Sequence, residues 1–307
     1  MRWKRGQRLK LVSESEASSQ MRAIFRQVRE CLGVSFIPAL YRAYAAFPEF
    51  LELHWQRFRP AFESRQFFLL GSRLAAESYT RAHNYFQITA LPRADLQVEQ
   101  PALPLQQVLD CYQYVDPLLL LIAAAQMQAF EGPIGQPAVA AESNGHPRFP
   151  TAPSLVDDAE ATTALQRSWN ERKRLCELAF ISDEHRALAR FPDFYIPYWR
   201  ALKDLLQSPV YADCQYRLAD SALEMAHELP ARVETELSQL LDAGMTDEQV
   251  TSVMRINEAF VGVLTGLVLD ITFARIACEA EDPVSQSPKR PASEPSAKKA
   301  DSPVRAA

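Results

Sequence analysis

The segment YRAYAAFPEFLELHW occupies residues 41–55, and HRALARFPDFYIPYW occupies residues 185–199. A shift of 144 residues lays the first over the second without a gap. The match extends outward. EASS (16–19) falls on EATT (160–163), and Phe36-Ile37 falls on Phe180-Ile181. Arg73-Leu74-Ala75 falls on Arg217-Leu218-Ala219, and His83 on His227. Between 16–83 and 160–227, 17 of 68 positions are identical, against about 4 from ordinary composition. Self-similarity at one offset marks a repeated unit. The expectation is an all-α chain, a duplicated helical unit whose copies form a pseudo-twofold intrachain dimer.

Each unit reads as a series of helices. One runs through 18–31 and another through 36–46, with Pro48 and Pro192 suited to the first position of the next. That next helix carries Trp55 or Trp199 on its apolar side. Longer helices follow at 64–88 or 211–228, and each unit ends in an apolar helix, 111–130 or 253–279. Thr246-Asp247-Glu248-Gln249 has the form of a capping box. Strict apolar–polar alternation is absent, so no sheet is expected.

Composition agrees. The 307 residues hold only 9 glycines, about half the usual share. Glycine serves tight hairpins and phosphate loops, where the backbone must reach positive φ. Neither GxGxxG nor GxxxxGK[ST] occurs, which speaks against nucleotide-binding folds. A net charge of −5 gives no basic footprint for nucleic acid. The five cysteines are widely spaced, without CxxC or zinc spacing. A reducing, cytoplasmic setting is the expectation. The basic N-terminus lacks the apolar core of a signal peptide. The apolar runs Pro117–Ala125 and Ala259–Leu269 are shorter than a bilayer span and read as buried helices.

The boundaries follow from these signals. Residues 1–13 read as a mobile basic arm, 14–130 as the first repeat and 160–281 as the second. The stretch 131–159 is a linker with five prolines between Pro133 and Pro153. From 282 to 307 the chain offers almost nothing to bury and is expected to be disordered.

Matching positions in a duplicated fold share a structural job, so departures from the match are informative. Pro38-Ala39-Leu40 stands opposite Ser182-Asp183-Glu184, and two apolar positions have become carboxylates. Asp116 heads a strongly apolar run, and a shift of 142 sets it over Glu258. Structural readings exist for each. Ser182 is a good N-cap, and acids in a first turn gain from the helix dipole. Asp116-Pro117 reads as a helix start. Glu258 and Asp270 are expected to face solvent or to pair with Arg255 and Arg275. His83, His227, Trp55 and Trp199 read as structural. Gly262 and Gly266 read as a site of close helix packing.

The repeated segment, of the form R-x-x-A-x-[WF]-P, resembles the group I 2-haloacid dehalogenase family, also called the halocarboxylic acid dehydrogenase DehI family. The linker elements GHP (145–147) and LVDDAEA (155–161) are similar too, as is the late DIT of Asp270–Thr272. The resemblance covers about residues 14–280. It implies an all-α pseudo-dimer that hydrolyses both enantiomers of short 2-haloacids. It implies a carboxylate general base, a water attacking C2 with inversion, no enzyme ester, and no metal or other cofactor. Glu184 falls on the family's catalytic Asp position, and a one-residue slip puts Asp183 there. Asp116 falls on its active-site Asn, Phe36 on a pocket Trp, and Leu119 near a pocket Tyr. The implied pocket further takes in Ile37, Tyr41, Tyr112, Phe180, Ile181 and Ser182. A small-molecule substrate is the expected partner, with neither nucleic acid nor membrane; the number of subunits is left open.

Other classes fit less well. A relative that binds another small molecule, or serves an interaction role, remains the second reading. A helical thiol peroxidase needs a CxxC pair, and a zincin needs a second histidine at helical spacing after His227-Glu228.

Overall fold

The computed structural model of the protein describes residues 9–86, 103–137 and 146–279. The expected tail from 282 and the first eight residues of the expected arm lie outside the described residues. Eleven helices and no strand are found among the described residues. The first series is α1 (Ser19–Leu32), α2 (Ala39–Tyr44), α3 (Pro48–Phe62), α4 (Arg65–Tyr85) and α5 (Leu103–Ala129). The second is α6 (Thr163–Leu175), α7 (Asp183–Leu188), α8 (Pro192–Leu206), α9 (Pro209–Ala226), α10 (Leu237–Asp242) and α11 (Asp247–Glu279). The bounds of α2 and α7 differ by 144 at both ends, and so do those of α3 and α8.

Local chemistry explains the starts. Ser18 and Thr162 each cap a helix by accepting from a backbone amide three residues on. Pro48 and Pro192 open α3 and α8, where a missing N–H is harmless. Thr246 and Gln249 exchange hydrogen bonds of 2.8 and 3.3 Å at the head of α11, a closed capping box. The indoles make matching bonds as well. Trp55 Nε1 donates to Gln27 Oε1 at 2.7 Å, and Trp199 Nε1 donates to Glu171 Oε2 at 3.1 Å.

Helices α5 and α11 pack along each other, and α4 and α9 pack on both. Their central place explains their composition, because a helix buried all round has no polar face to show. Each is long and apolar enough to cross a membrane by length and composition, contrary to the short runs read from sequence. Of the residues in their most apolar windows, 83% and 78% are buried within the protein. The pairs α1–α3 and α6–α8 flank this centre. The short helices cross over as well: α7 packs on α5, and α2 packs on α11. In the second of these, Tyr44 donates to Asn257, whose Nδ2 donates to the Ala123 carbonyl at 2.9 Å. Close packing of α9 on α11 uses Gly266, whose carbonyl accepts from Tyr211 at 3.2 Å.

Several sequence readings are corrected. Asp116-Pro117 is no helix start. Pro117 lies inside α5, which begins at least as early as Leu103. The neighbouring helices hold α5 through the proline, although residue 117 gives no N–H to the ladder. Asp270 does not face solvent or pair with Arg275; it is fully buried and pairs with Arg172. Arg275 binds Asp110 and Glu279 instead. His83 and His227, read as structural, are both exposed; the His83 ring stacks on Tyr79, and the His227 carbonyl accepts from Gln136 at 2.9 Å. The end of the expected arm is packed: Val12 is buried and its amide donates to the Arg42 carbonyl at 3.0 Å.

The stretch read as a linker makes backbone contacts with both series of helices. Ile134 and Val233 exchange backbone hydrogen bonds of 3.0 and 2.9 Å, and the Phe149 amide donates to the Gly33 carbonyl at 2.7 Å. Gly33 closes α1 at φ +68°, and an added Cβ would stand 2.6 Å from the Pro147 carbonyl oxygen. Gly33→Ala is therefore expected to lower stability by about 1–3 kcal/mol, read as a lower urea midpoint.

Candidate active site

The crossed packing of α2 and α7 leaves a cavity between the halves. It comprises about 410 Å³ of atom-free space, part of it open to solvent. Four segments line it. Helix α5 brings Tyr112, Val115, Asp116 and Leu119, and α11 brings Phe260, Val263, Leu264 and Leu267. The start of α2 brings Phe36, Pro38, Ala39 and Leu40, and the start of α7 brings Phe180, Ser182, Asp183 and Glu184. The 144-residue offset relates these walls. It pairs Phe36 with Phe180, Leu40 with Glu184, Asp116 with Phe260 and Leu119 with Val263. The acids break that correspondence, one on α5 and two on α7. Asp116 thus corresponds to Phe260 in the cavity, and Glu258 is absent from its wall.

Of the residues singled out from sequence, Phe36, Tyr112, Leu119, Phe180, Ser182, Asp116, Asp183 and Glu184 line the cavity. Ile37, Tyr41 and Ile181 do not. The Tyr41 ring turns from the cavity into a cluster with Tyr44, His54 and Trp55. Ile181 is buried in the core, and Ile37 packs against it. The wall from α11 went unread in the sequence. Its signal was there, because Phe260, Val263, Leu264 and Leu267 keep the i, i+3, i+4, i+7 spacing of one helix face.

The three acids differ in surroundings. Asp116 is fully buried, and neither carboxyl oxygen has a partner in hydrogen-bonding geometry. Burial first, then the nearby Glu184 charge, pushes its proton affinity far above the ordinary carboxylate range. Glu184 is 7% exposed and its Oε2 has no partner. Burial and the Asp183 charge raise its pKa to about 7, while Ser182, Asp116 and its own amide oppose the rise. Asp183 keeps a side chain 21% exposed, with Arg42 4.0 Å away. Burial raises its pKa, and Arg42 and Arg186 oppose that rise. Two carboxyls so close do not ionise independently. Near neutral pH, Glu184 gives up its proton and Asp116 keeps one.

The chemistry available follows. A buried carboxylate that titrates near 7 is matched to general-base work at neutral pH. A protonated Asp116 holds an O–H donor beside the Glu184 carboxylate, within the same cavity. At the cavity edge α2 starts without a side-chain cap, behind Pro38. Such first-turn amides are partial positive charges. Among the described residues no Lys, Arg or His lines the cavity. Nor do any three His, Cys, Asp or Glu side chains there sit so as to hold a metal ion.

Comparison with known proteins gives a consistent result. The family described as Halocarboxylic acid dehydrogenase DehI matches residues 35–185. An (R)-2-haloacid dehalogenase of Pseudomonas putida is 24% identical over 271 residues, which is 85% of this chain and 90% of that protein. A configuration-inverting 2-haloacid dehalogenase of Alcaligenes xylosoxydans xylosoxydans is 25% identical over 305 residues, covering 90% and 96%. A crystal structure of a D-2-haloacid dehalogenase mutant superposes with a TM-score of 0.80 at 23% identity, covering 91% of this chain and 98% of that one. The complex of a D-2-haloacid dehalogenase with L-LA gives 0.79 at the same identity, covering 91% and 99%. The solved structures show the same all-α fold. With residues 35–185 matched and relatives aligned along most of its length, the chain is similar to the halocarboxylic acid dehydrogenase DehI family.

Proposed function

We propose that the protein hydrolyses the carbon–halogen bond of short 2-haloalkanoic acids, of both enantiomers, with inversion at C2. The observation that carries this reading is Glu184, a carboxyl in an apolar cavity whose pKa lies at about 7. Ionised Glu184 takes a proton from a water. The water oxygen bonds to C2, the carbon–halogen bond breaks, and its electron pair leaves with the halide. The products are a 2-hydroxy acid, halide and a proton held by Glu184. The apolar walls keep other water from the base, and the O–H of Asp116 and the first-turn amides of α2 face the substrate's charge. The names of the relatives support the reaction class. The same reading treats 14–130 and 160–281 as two copies of one unit, so that a single base serves one cavity at their junction.

The test is halide release from each enantiomer of 2-chloropropionate, with both expected as substrates. A single turnover in ¹⁸O-water, with protein in excess, is expected to put the label in the product. Unlabelled product in that turnover would show an ester through Glu184 instead. A second reading has its own observation: three acids and no cationic side chain line the cavity among the described residues. That set also suits a neutral or cationic small molecule. Thermal stabilisation by small amines, with none by 2-haloacids and no halide release, would favour it.

A further inference from the structure

Behind α7, on the side away from the cavity, five helices meet at one buried carboxylate. Asp270 of α11 accepts from Arg172 of α6 at 2.6 Å through Oδ2, and from Tyr211 of α9 at 2.7 Å through Oδ1. His185 of α7 places Nε2 3.5 Å from Oδ2, and its Nδ1 lies 3.1 Å from the Tyr195 hydroxyl of α8. Tyr198 adds a bond to the Asp270 carbonyl at 3.2 Å. Arg172, His185 and Asp270 are all buried. Burial, with the Arg172 charge, keeps His185 neutral, its pKa near 4. With the ring proton on Nε2, His185 donates to Asp270 and accepts from Tyr195.

The first half shows that the fold does not need this set. At the same offset, Arg172 corresponds to Val28, Asp270 to Gln126, His185 to Tyr41, Tyr195 to Leu51 and Tyr211 to Phe67. There Gln126 serves His54 of α3 at 2.7 Å and Thr235 at 2.7 Å, and the Tyr41 hydroxyl has no partner. A buried ion pair carries a desolvation penalty that apolar packing avoids. It is kept only in the half whose short helix holds the acids. That helix has six residues and its Ser182 makes no side-chain cap, so it depends on outside contacts for its place. His185 follows Glu184 directly, so one face of α7 meets the cavity while the other is tied to Asp270.

We propose that the Arg172–Asp270 pair, acting through His185, is a positioning device that fixes α7 and with it Glu184 in the cavity. The inference rests on the reading of Glu184 as the base. Its test is the double variant Arg172→Val/Asp270→Gln, which installs the residues of the first half and removes both charges together. The variant is expected to fold, with a melting temperature within a few degrees of the parent. Its kcat for 2-chloropropionate is expected to fall at least about tenfold with KM changed less than about threefold, since small misplacements of a reacting group are costly. The ¹³C carboxyl signal of Glu184, assigned by its loss in Glu184→Gln, is expected to titrate lower than in the parent, as a loosened α7 admits water. Retained kcat, or an unmoved Glu184 titration, overturns the proposal. If the parent itself releases no halide, the dehalogenase reading fails and the titration alone decides the positioning role. If the double variant does not fold, His185→Phe leaves the ion pair whole and decides by the same two readouts.

Discussion

Glu184→Gln is expected to lower kcat for 2-chloropropionate by about 10²- to 10⁴-fold, the usual worth of a general base, with KM little changed. Glutamine keeps the shape and the position in α7 but accepts no proton from water. Asp183→Asn is expected to cost less than about tenfold on the same scale. The two acids are neighbours in sequence, yet their settings separate them. Asp183 has Arg42 4.0 Å away and a partly exposed carboxyl, which favour its ionised form and weaken it as a base. Glu184 is more deeply buried, and the charges acting on it are acidic. The pH profile carries the same assignment. The base works only after losing its proton, so kcat/KM should rise with pH through about 7 and fall away below it. A larger loss in Asp183→Asn than in Glu184→Gln would move the base to Asp183.

The fold was legible because two matching segments 144 residues apart carry the same helix-boundary signals, and α2/α7 and α3/α8 share their bounds at that offset. A chance match of one proline or one tryptophan carries little. The paired FPEF and FPDF, with Trp55 and Trp199 eight residues from Phe47 and Phe191, place two helices at once. The acids were legible for the complementary reason, as breaks in that match. What stayed hidden depended on long-range packing. Asp270 sits in a long apolar helix, and nothing local tells that its partner is Arg172, 98 residues away, rather than Arg275, five residues on. Asp116-Pro117 carries a strong local start signal that burial of α5 overrides. Which wall of α11 meets the cavity depended on α2 and α7 crossing between the halves, a relation that no single helix encodes.

Stability against pH is expected to move in the direction opposite to that of a salt-bridged acid. Glu184 and Asp116 both hold their protons more tightly folded than unfolded. Well below the ordinary carboxylate range, at about pH 2 to 3, both states are protonated and neither group affects folding. As pH rises past the ordinary carboxylate range, the unfolded chain releases these protons and the folded one keeps them. Stability therefore falls across that window, until Glu184 itself ionises at about 7. Glu184→Gln removes the group that titrates. Its advantage over the parent should accordingly grow between pH 4 and pH 8, by about 3 kcal/mol if the full shift is realised. Asp116→Asn should gain in the same direction, since an amide is neutral at every pH and matches the shape of the protonated acid. Urea unfolding of parent and variants at the two pH values measures the difference directly, with titrations elsewhere in the chain cancelling. An advantage that does not change with pH would mean that Glu184 is ionised at little cost in the folded protein. Its basicity would then be ordinary, and the chemical case for it as the base would fall with the stability effect. A gain in stability joined to a loss of turnover would instead mark the cavity as a place where burial of an acid is kept for its chemistry.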